Sequence, residues 1–193
     1  MYVAIEGIDT AGKSTQIDAL RTLFPDALIT KEPGGTAVGM EIRNMVLHGS
    51  LTSKTAELLL FLADRAEHTE SIILPNMNRL IISDRSAVSG MAYASVQELC
   101  DESTLVMLNR LATGGTLPHC VFILKLTPEA LAFRLSQKEH DTIEARGMDY
   151  LLSIQDALIA AAYALGIKTY VIDATQSIDT ITNEITTLIK GAL

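Results

Sequence analysis

One short segment constrains this chain more than any other. Gly7-Ile8-Asp9-Thr10-Ala11-Gly12-Lys13-Ser14 follows an apolar run, Tyr2–Glu6, and opens a stretch of helical period, Lys13–Leu23. It fits G-x-x-x-x-G-K-[ST] in a strand–loop–helix setting. The spacing has a physical cause. Glycines let the backbone curl until successive N–H groups point inward around a phosphate. The helix that follows adds unpaired N–H groups and the positive end of its dipole. Lys13 can reach the β and γ phosphates, and the Ser14 hydroxyl can bind Mg²⁺. The whole stretch from Gly7 through Ile8, Asp9, Thr10, Ala11 and Gly12 to Lys13 and Ser14 is therefore read as an ATP cradle. The motif says that a nucleoside triphosphate binds; it does not say where the γ-phosphoryl goes.

The rest of the chain has the alternation that such a loop requires. Strand candidates are Tyr2–Glu6, Ala27–Thr30, Leu80–Ser83, Cys120–Leu126 and Lys168–Ile172. Their few polar residues suit strands buried on both faces. Helix candidates are Lys13–Leu23, Met40–Leu47, Lys54–Asn78, Ala87–Val96, Glu102–Thr113, Pro128–Ser136, Asp149–Leu165 and Ile178–Ile189. Ser53, Thr127 and Ser177 stand at N-cap positions and Gly166 at a C-cap. Alternating elements predict an α/β fold, a parallel sheet with helices on both faces. With 193 residues and no Pro/Gly/Ser-rich linker, a single domain over 1–193 is expected. The polar segment 137–147 reads either as a solvated connection or as a mobile lid over a site.

Charge and cysteine content exclude several classes. The net charge of −8 argues against a general nucleic-acid binder or an anionic-membrane binder, so an anionic ligand must meet a local cluster of cations. Cys100 and Cys120 make no disulfide framework and suit a reducing compartment. No basic-then-apolar leader and no membrane-length apolar run are evident. A cytoplasmic protein is expected. His48, His68, His119 and His140 lack metal-ligand spacing and read as surface or packing residues.

Three further segments bear on chemistry. Leu80-Ile81-Ile82-Ser83-Asp84-Arg85 is an apolar strand ending in a carboxylate, where a phosphate-loop fold places a second acid on the Mg²⁺ side. Asp84 could instead cap the next helix. Arg85 would project at the C-terminal edge of the sheet, where open α/β sheets bind ligands. Thr30-Lys31-Glu32-Pro33-Gly34-Gly35-Thr36 is a turn after the second strand. Phe61 and Arg65 are four apart and share a helix face. Phe61 alone reads as a core aromatic. An arginine beside it would be costly in a core, and a ring stacked on a base beside a guanidinium on the base edge reconciles the pair.

Taken together, VAIEGIDTAGKSTQ, ITKEPGGT, Ile42-Arg43, FLADRAEH, ISDRSAVSGMAYA, Asp141-Thr142-Ile143-Glu144 and Ile172-Asp173-Ala174-Thr175 make the whole chain resemble the bacterial thymidylate kinases. The resemblance implies a three-layer P-loop kinase with a five-stranded parallel sheet of order 2-3-1-4-5. It implies transfer of phosphate from ATP to dTMP with Mg²⁺, giving dTDP for dTTP synthesis, and a homodimer. By the same resemblance, Phe61 would stack on thymine and Arg65 would bond its O4. Arg43 and Arg85 would hold the acceptor phosphate, with Ser89 at the base edge and Tyr93 crowding the sugar 2′ position. Asp9 would sit between the two phosphate sites, and Glu32 would face the acceptor sugar and phosphate. Ser14 and Asp84 would serve the metal, and Asp141 and Glu144 would lie on the lid side. Lys13, Asp9 and Arg85 would be catalytic.

The chain departs from the family pattern in the lid, where Thr142 stands in place of a common Arg, and at Lys31. Neither Thr10 nor Ala11 supplies a cation to the loop. Lys138, or Arg134 at the lid base, is expected to supply part of the missing charge. The nearest alternative is a deoxynucleoside kinase, which would not need Arg43 as a second phosphate clamp. A GTPase-type switch would carry N-K-x-D, which is absent.

Overall fold

A computed structural model describes residues 1–49, 51–137 and 147–192. Five parallel strands form one sheet: β1 (Tyr2–Glu6), β2 (Leu28–Lys31), β3 (Ile81–Asp84), β4 (Cys120–Lys125) and β5 (Lys168–Asp173). Their order is β2-β3-β1-β4-β5, as the resemblance implied. Val3 stands opposite both Ile82 and Cys120, so β1 is the centre of the sheet and all five of its residues are buried. The expectation of burial on both faces fails for β2 and β5. They are the two edges, and most of their residues are partly or fully exposed.

The helices are α1 (Lys13–Leu23), α2 (Ala37–His48), α3 (Lys54–His68), α4 (Ala87–Val96), α5 (Glu102–Ala112), α6 (Pro128–Ser136), α7 (Met148–Leu165) and α8 (Ile178–Lys190). Right-handed crossovers decide their sides. The step from β1 to β2 runs one way across the sheet, whereas those from β3 to β4 and from β4 to β5 run the other. Accordingly α1 packs with α8, while α4 packs with α3, α5 and α7. A large core of Ile, Leu, Val and Ala fills both interfaces, with Phe122 as its largest fully buried side chain, and Tyr2, Ile73 and Ile81 form a second, smaller cluster.

Local signals set most boundaries. Ser53, Thr127 and Ser177 accept from Ala56, Ala130 and Thr180 N–H, each cap contributing about 1 kcal/mol. Gly166 closes α7 in the left-handed conformation. Two helices differ from the sequence expectation by more than one residue. The second begins at Ala37, because the Thr36 hydroxyl caps it through Gly39 N–H. The third ends at His68 and continues as a π-helical turn, Thr69–Ile73, and a 3-10 turn, Leu74–Asn76. Pro75 lacks the N–H that would carry an α-helix to Asn78.

Candidate functional site

All parallel strands end at the same edge, so the loops after β1, β2 and β3 converge there. The loop after β1 curls back on itself. Gly7 has φ 152°, and a Cβ there would lie 3.1 Å from the Leu124 carbonyl oxygen. Gly12 (φ 99°) and Thr10 (φ 68°) are both left-handed, and for threonine this costs about 1–2 kcal/mol. Lys13 lies inside the curl. Its Nζ donates to Ile8 O at 3.0 Å and stands 3.7 Å from Asp9 Oδ1. Burial, then the neighbouring Arg85 charge, lowers its pKa to about 8. The curl thus places one cation among its own backbone carbonyls, within reach of the loop's interior.

Arg134 of α6 fastens this loop from outside. It donates to Thr10 O at 2.8 Å and to Ala174 O at 2.6 Å, so the turn after β5 is tied to the phosphate loop. Lys138, Asp141 and Glu144 lie outside the described residues.

Arg85 joins the loop after β3 to the loop after β1. It is a non-glycine residue at φ 71°, a strained backbone that aims its side chain across the sheet edge. Its guanidinium bonds Asp9 Oδ1 at 2.7 Å, Gly7 O at 3.2 Å and Ser89 Oγ at 3.1 Å. It also lies 5.9 Å from the centre of the Tyr93 ring, so five of the expected residues, Gly7, Asp9, Arg85, Ser89 and Tyr93, form one cluster.

Below this cluster sits Glu6, a fully buried carboxylate that the sequence reading passed over. It accepts from Ser86 Oγ at 2.7 Å and Ser89 Oγ at 2.5 Å. Burial raises its pKa, against the opposing hydrogen bonds of the two serines and the Arg85 charge. The signal was an acid at the end of an otherwise apolar strand, beside the first glycine of the loop.

The loop after β2 interlocks with α3. Gly34 N–H donates to Asp64 Oδ1 at 2.9 Å, and Arg43 Nη1 donates to Pro33 O at 3.0 Å. Arg43 thus lies along this turn and is half-buried. Phe61 is also half-buried on α3. Glu32 turns inward rather than outward. It accepts from Arg65 Nε at 2.9 Å and from His68 Nδ1 at 2.9 Å, and is 5% exposed. Burial alone would raise its pKa, but Arg65 and His68 outweigh burial and hold it below the usual value. His68 is fully buried and polar-bonded on both ring nitrogens, not merely a packing or surface histidine. Asp64, His68 and Asn109 of this network were not singled out from sequence, because no spacing rule joins α3 to the turn after β2.

Between the start of α1 and the turn after β2, residues including Ser14, Asp18, Thr30, Lys31, Gly34 and Asp84 line a cavity of about 410 Å³. Asp84 Oδ1 is buried there without a hydrogen-bond partner among the described residues. An orphaned carboxylate oxygen and a serine hydroxyl on one cavity fit Mg²⁺, which takes one or two protein oxygens and fills its shell with water and phosphate. Among the described residues no group of three or more His, Cys, Asp or Glu is placed to hold a metal. Among the described residues no helix is long and apolar enough to cross a membrane.

Known proteins share this architecture. A family model described as thymidylate kinase matches residues 5–185. The thymidylate kinase of Sulfurimonas denitrificans is 60% identical over 185 residues, 96% of this chain and 97% of that one. That of Aliarcobacter butzleri is 53% identical over 185 residues, 96% of each chain. The crystal structure of thymidylate kinase from Ehrlichia chaffeensis matches with a TM-score of 0.75 at 25% identity over 98% of each chain.

Proposed function

Because the chain belongs to the thymidylate kinase family, we propose that it transfers the γ-phosphoryl group of ATP to dTMP, giving ADP and dTDP. The observation that carries this reading is Arg85, whose one guanidinium bonds both the phosphate loop and the start of α4. A donor cradle and an acceptor pocket that share a cation can bring two polyanions into line.

The acceptor phosphate is already a nucleophile near neutral pH, since its second pKa is about 6. No strong general base is required. The protein's work is positioning and neutralisation of a loose transition state. Gly7 to Ser14 wrap the ATP phosphates with backbone N–H groups, and Lys13 Nζ leaves Ile8 O for them. Arg85 and Arg43 hold the acceptor phosphate; planar two-pronged arginines suit it better than lysines would. Phe61 stacks on thymine, Arg65 bonds O4, Ser89 lies at the base edge and Tyr93 crowds the 2′ position. Glu32 serves the acceptor side by fixing Arg65, not by touching the sugar. Ser14 and Asp84 would hold Mg²⁺, which would supply charge neutralisation for the phosphates. The two bonds of Arg134 to carbonyls fit the holding of the donor loop; Lys138 is the lid cation of this reading.

The chain works as one unit over residues 1–193, with the segment 137–147 as its lid, closing over both nucleotides to exclude water. It pairs as a homodimer through α2 and α3, which pack together and leave Met45 and Leu59 half exposed. Both cysteines are free thiols, in keeping with the cytoplasm. The test is to incubate the protein with ATP and Mg²⁺ and either dTMP or thymidine, then separate the products by anion exchange. ADP and dTDP in equal amounts, with thymidine untouched, is the expected result. Phosphorylation of thymidine in place of dTMP would make it a deoxynucleoside kinase.

A further inference from the structure

Arg65 is held by more protein than a base-reading side chain needs. Of its five N–H groups, Nε–H goes to Glu32 Oε2 at 2.9 Å, one on Nη1 to Asn109 Oδ1 at 2.9 Å and one on Nη2 to Ser86 O at 3.3 Å. Each partner is itself fixed. Asn109 donates to Leu105 O at 2.8 Å. Glu32 is held by His68 Nδ1, and His68 Nε2 meets Thr30 Oγ1 at 2.6 Å. The ionised Glu32 can only accept, so Nδ1 must be the protonated nitrogen. His68 in turn fills the space left by Gly35, where a Cβ would come within 2.5 Å of the ring.

Gly90 completes the arrangement. It lies inside α4, has no positive φ, and costs the helix about 1 kcal/mol relative to alanine. Conformational freedom does not explain it; close approach does. A Cβ at Gly90 would lie 2.7 Å from Arg65 Nη2 and 2.9 Å from Nη1. A free arginine would swing aside, but three hydrogen bonds prevent this one from doing so. Among the described residues two of its N–H groups are left without a protein partner, one on each terminal nitrogen. A guanidinium can never accept, so this fixed pair welcomes a carbonyl and repels an amino group.

We infer that Gly90 and His68 are specificity-determining positioning residues: together with Glu32 and Asn109 they fix Arg65 as a rigid donor that selects 4-oxo over 4-amino pyrimidine monophosphates. This rests on the acceptor-site reading above. The experiment compares wild type, Gly90→Ala, His68→Leu and His68→Asn for kcat and KM on dTMP and dCMP, KM for ATP, and thermal midpoint. Asn can place an N–H near the Nδ1 position and should rescue the relay.

For Gly90→Ala and His68→Leu, KM for dTMP should rise and the dTMP-over-dCMP ratio of kcat/KM fall by roughly tenfold or more, with KM for ATP unchanged. His68→Asn should restore most of the ratio. A Gly90→Ala variant that folds and keeps the wild-type KM and ratio overturns the inference. So does an equal loss on both monophosphates, which a merely structural role would give. Should His68→Leu fail to fold, Gly90→Ala and His68→Asn decide alone. If wild type itself does not phosphorylate dTMP, the acceptor reading fails instead.

Discussion

Arg85 Nη2 lies 2.7 Å from Asp9 Oδ1, so the residue that follows β3 grips the middle of the loop that follows β1. These two loops leave neighbouring strands of a parallel sheet, and their side chains meet beyond the C-terminal ends of those strands. The backbone of Arg85 is left-handed to make this contact, which exchanges local stability for position.

That strain separates stability from activity. Replacing Arg85 by Gly or by Ala removes the same side chain, but only Gly accepts φ 71° without cost. Arg85→Gly should therefore be more stable than Arg85→Ala by about 1 kcal/mol. Both should lose turnover by about a hundredfold or more, as when a donor to a developing charge is removed. Chemical denaturation beside steady-state rates checks this; equal stabilities would contradict the strained backbone.

Lys13 predicts a proton uptake. Its folded pKa of about 8 lies below the usual lysine value, so the unfolded chain holds a proton that the fold does not hold between about pH 8 and 10.5. Stability should rise with pH across that window relative to Lys13→Met, since the burial penalty on the charge is relieved there. ATP phosphates favour the charged form, so binding near pH 8.5 should take up protons. Calorimetry in buffers of different ionisation enthalpy measures the uptake, and a buffer-independent enthalpy would contradict it.

Glu6 predicts a difference between an amide and a truncation. Glu6→Ala leaves the Ser86 and Ser89 hydroxyls without an acceptor and opens a cavity, a loss of about 3 kcal/mol. Glu6→Gln keeps the shape and should cost about 1 kcal/mol or less, yet it removes the charge beside Arg85 and should lower kcat/KM by about tenfold. The raised folded pKa of Glu6 sets the sign of the pH dependence. Wild type minus Glu6→Gln stability is largest at low pH and falls as pH rises from the usual carboxylate range through the folded value. A flat difference would contradict a buried, titrating Glu6.

Much of this was legible in the sequence because local rules dictated it. The bounds of β1, α1, α4 and α6 follow from apolar runs, caps and the glycine loop. The phosphate loop declared itself by spacing. What stayed hidden is non-local. Glu32 and Arg65 are far apart in sequence, and nothing in KEPGGT or FLADRAEH says that the two segments lock together through Gly34, Asp64 and His68. His68 looked idle because its partners, Thr30 and Glu32, belong to another loop. The end of α3 was overextended because an apolar period persists to Asn78 although Pro75 forbids the helix.

The central claim is that donor and acceptor nucleotides share one cleft bridged by Arg85 and Asp9. The most direct measurement is inhibition by adenosine and thymidine joined through a chain of phosphates, titrated against each substrate in turn. Competition with both ATP and dTMP is the predicted result, weakened strongly by Arg85→Ala. Competition with only one of them, or no effect of that substitution, would contradict it.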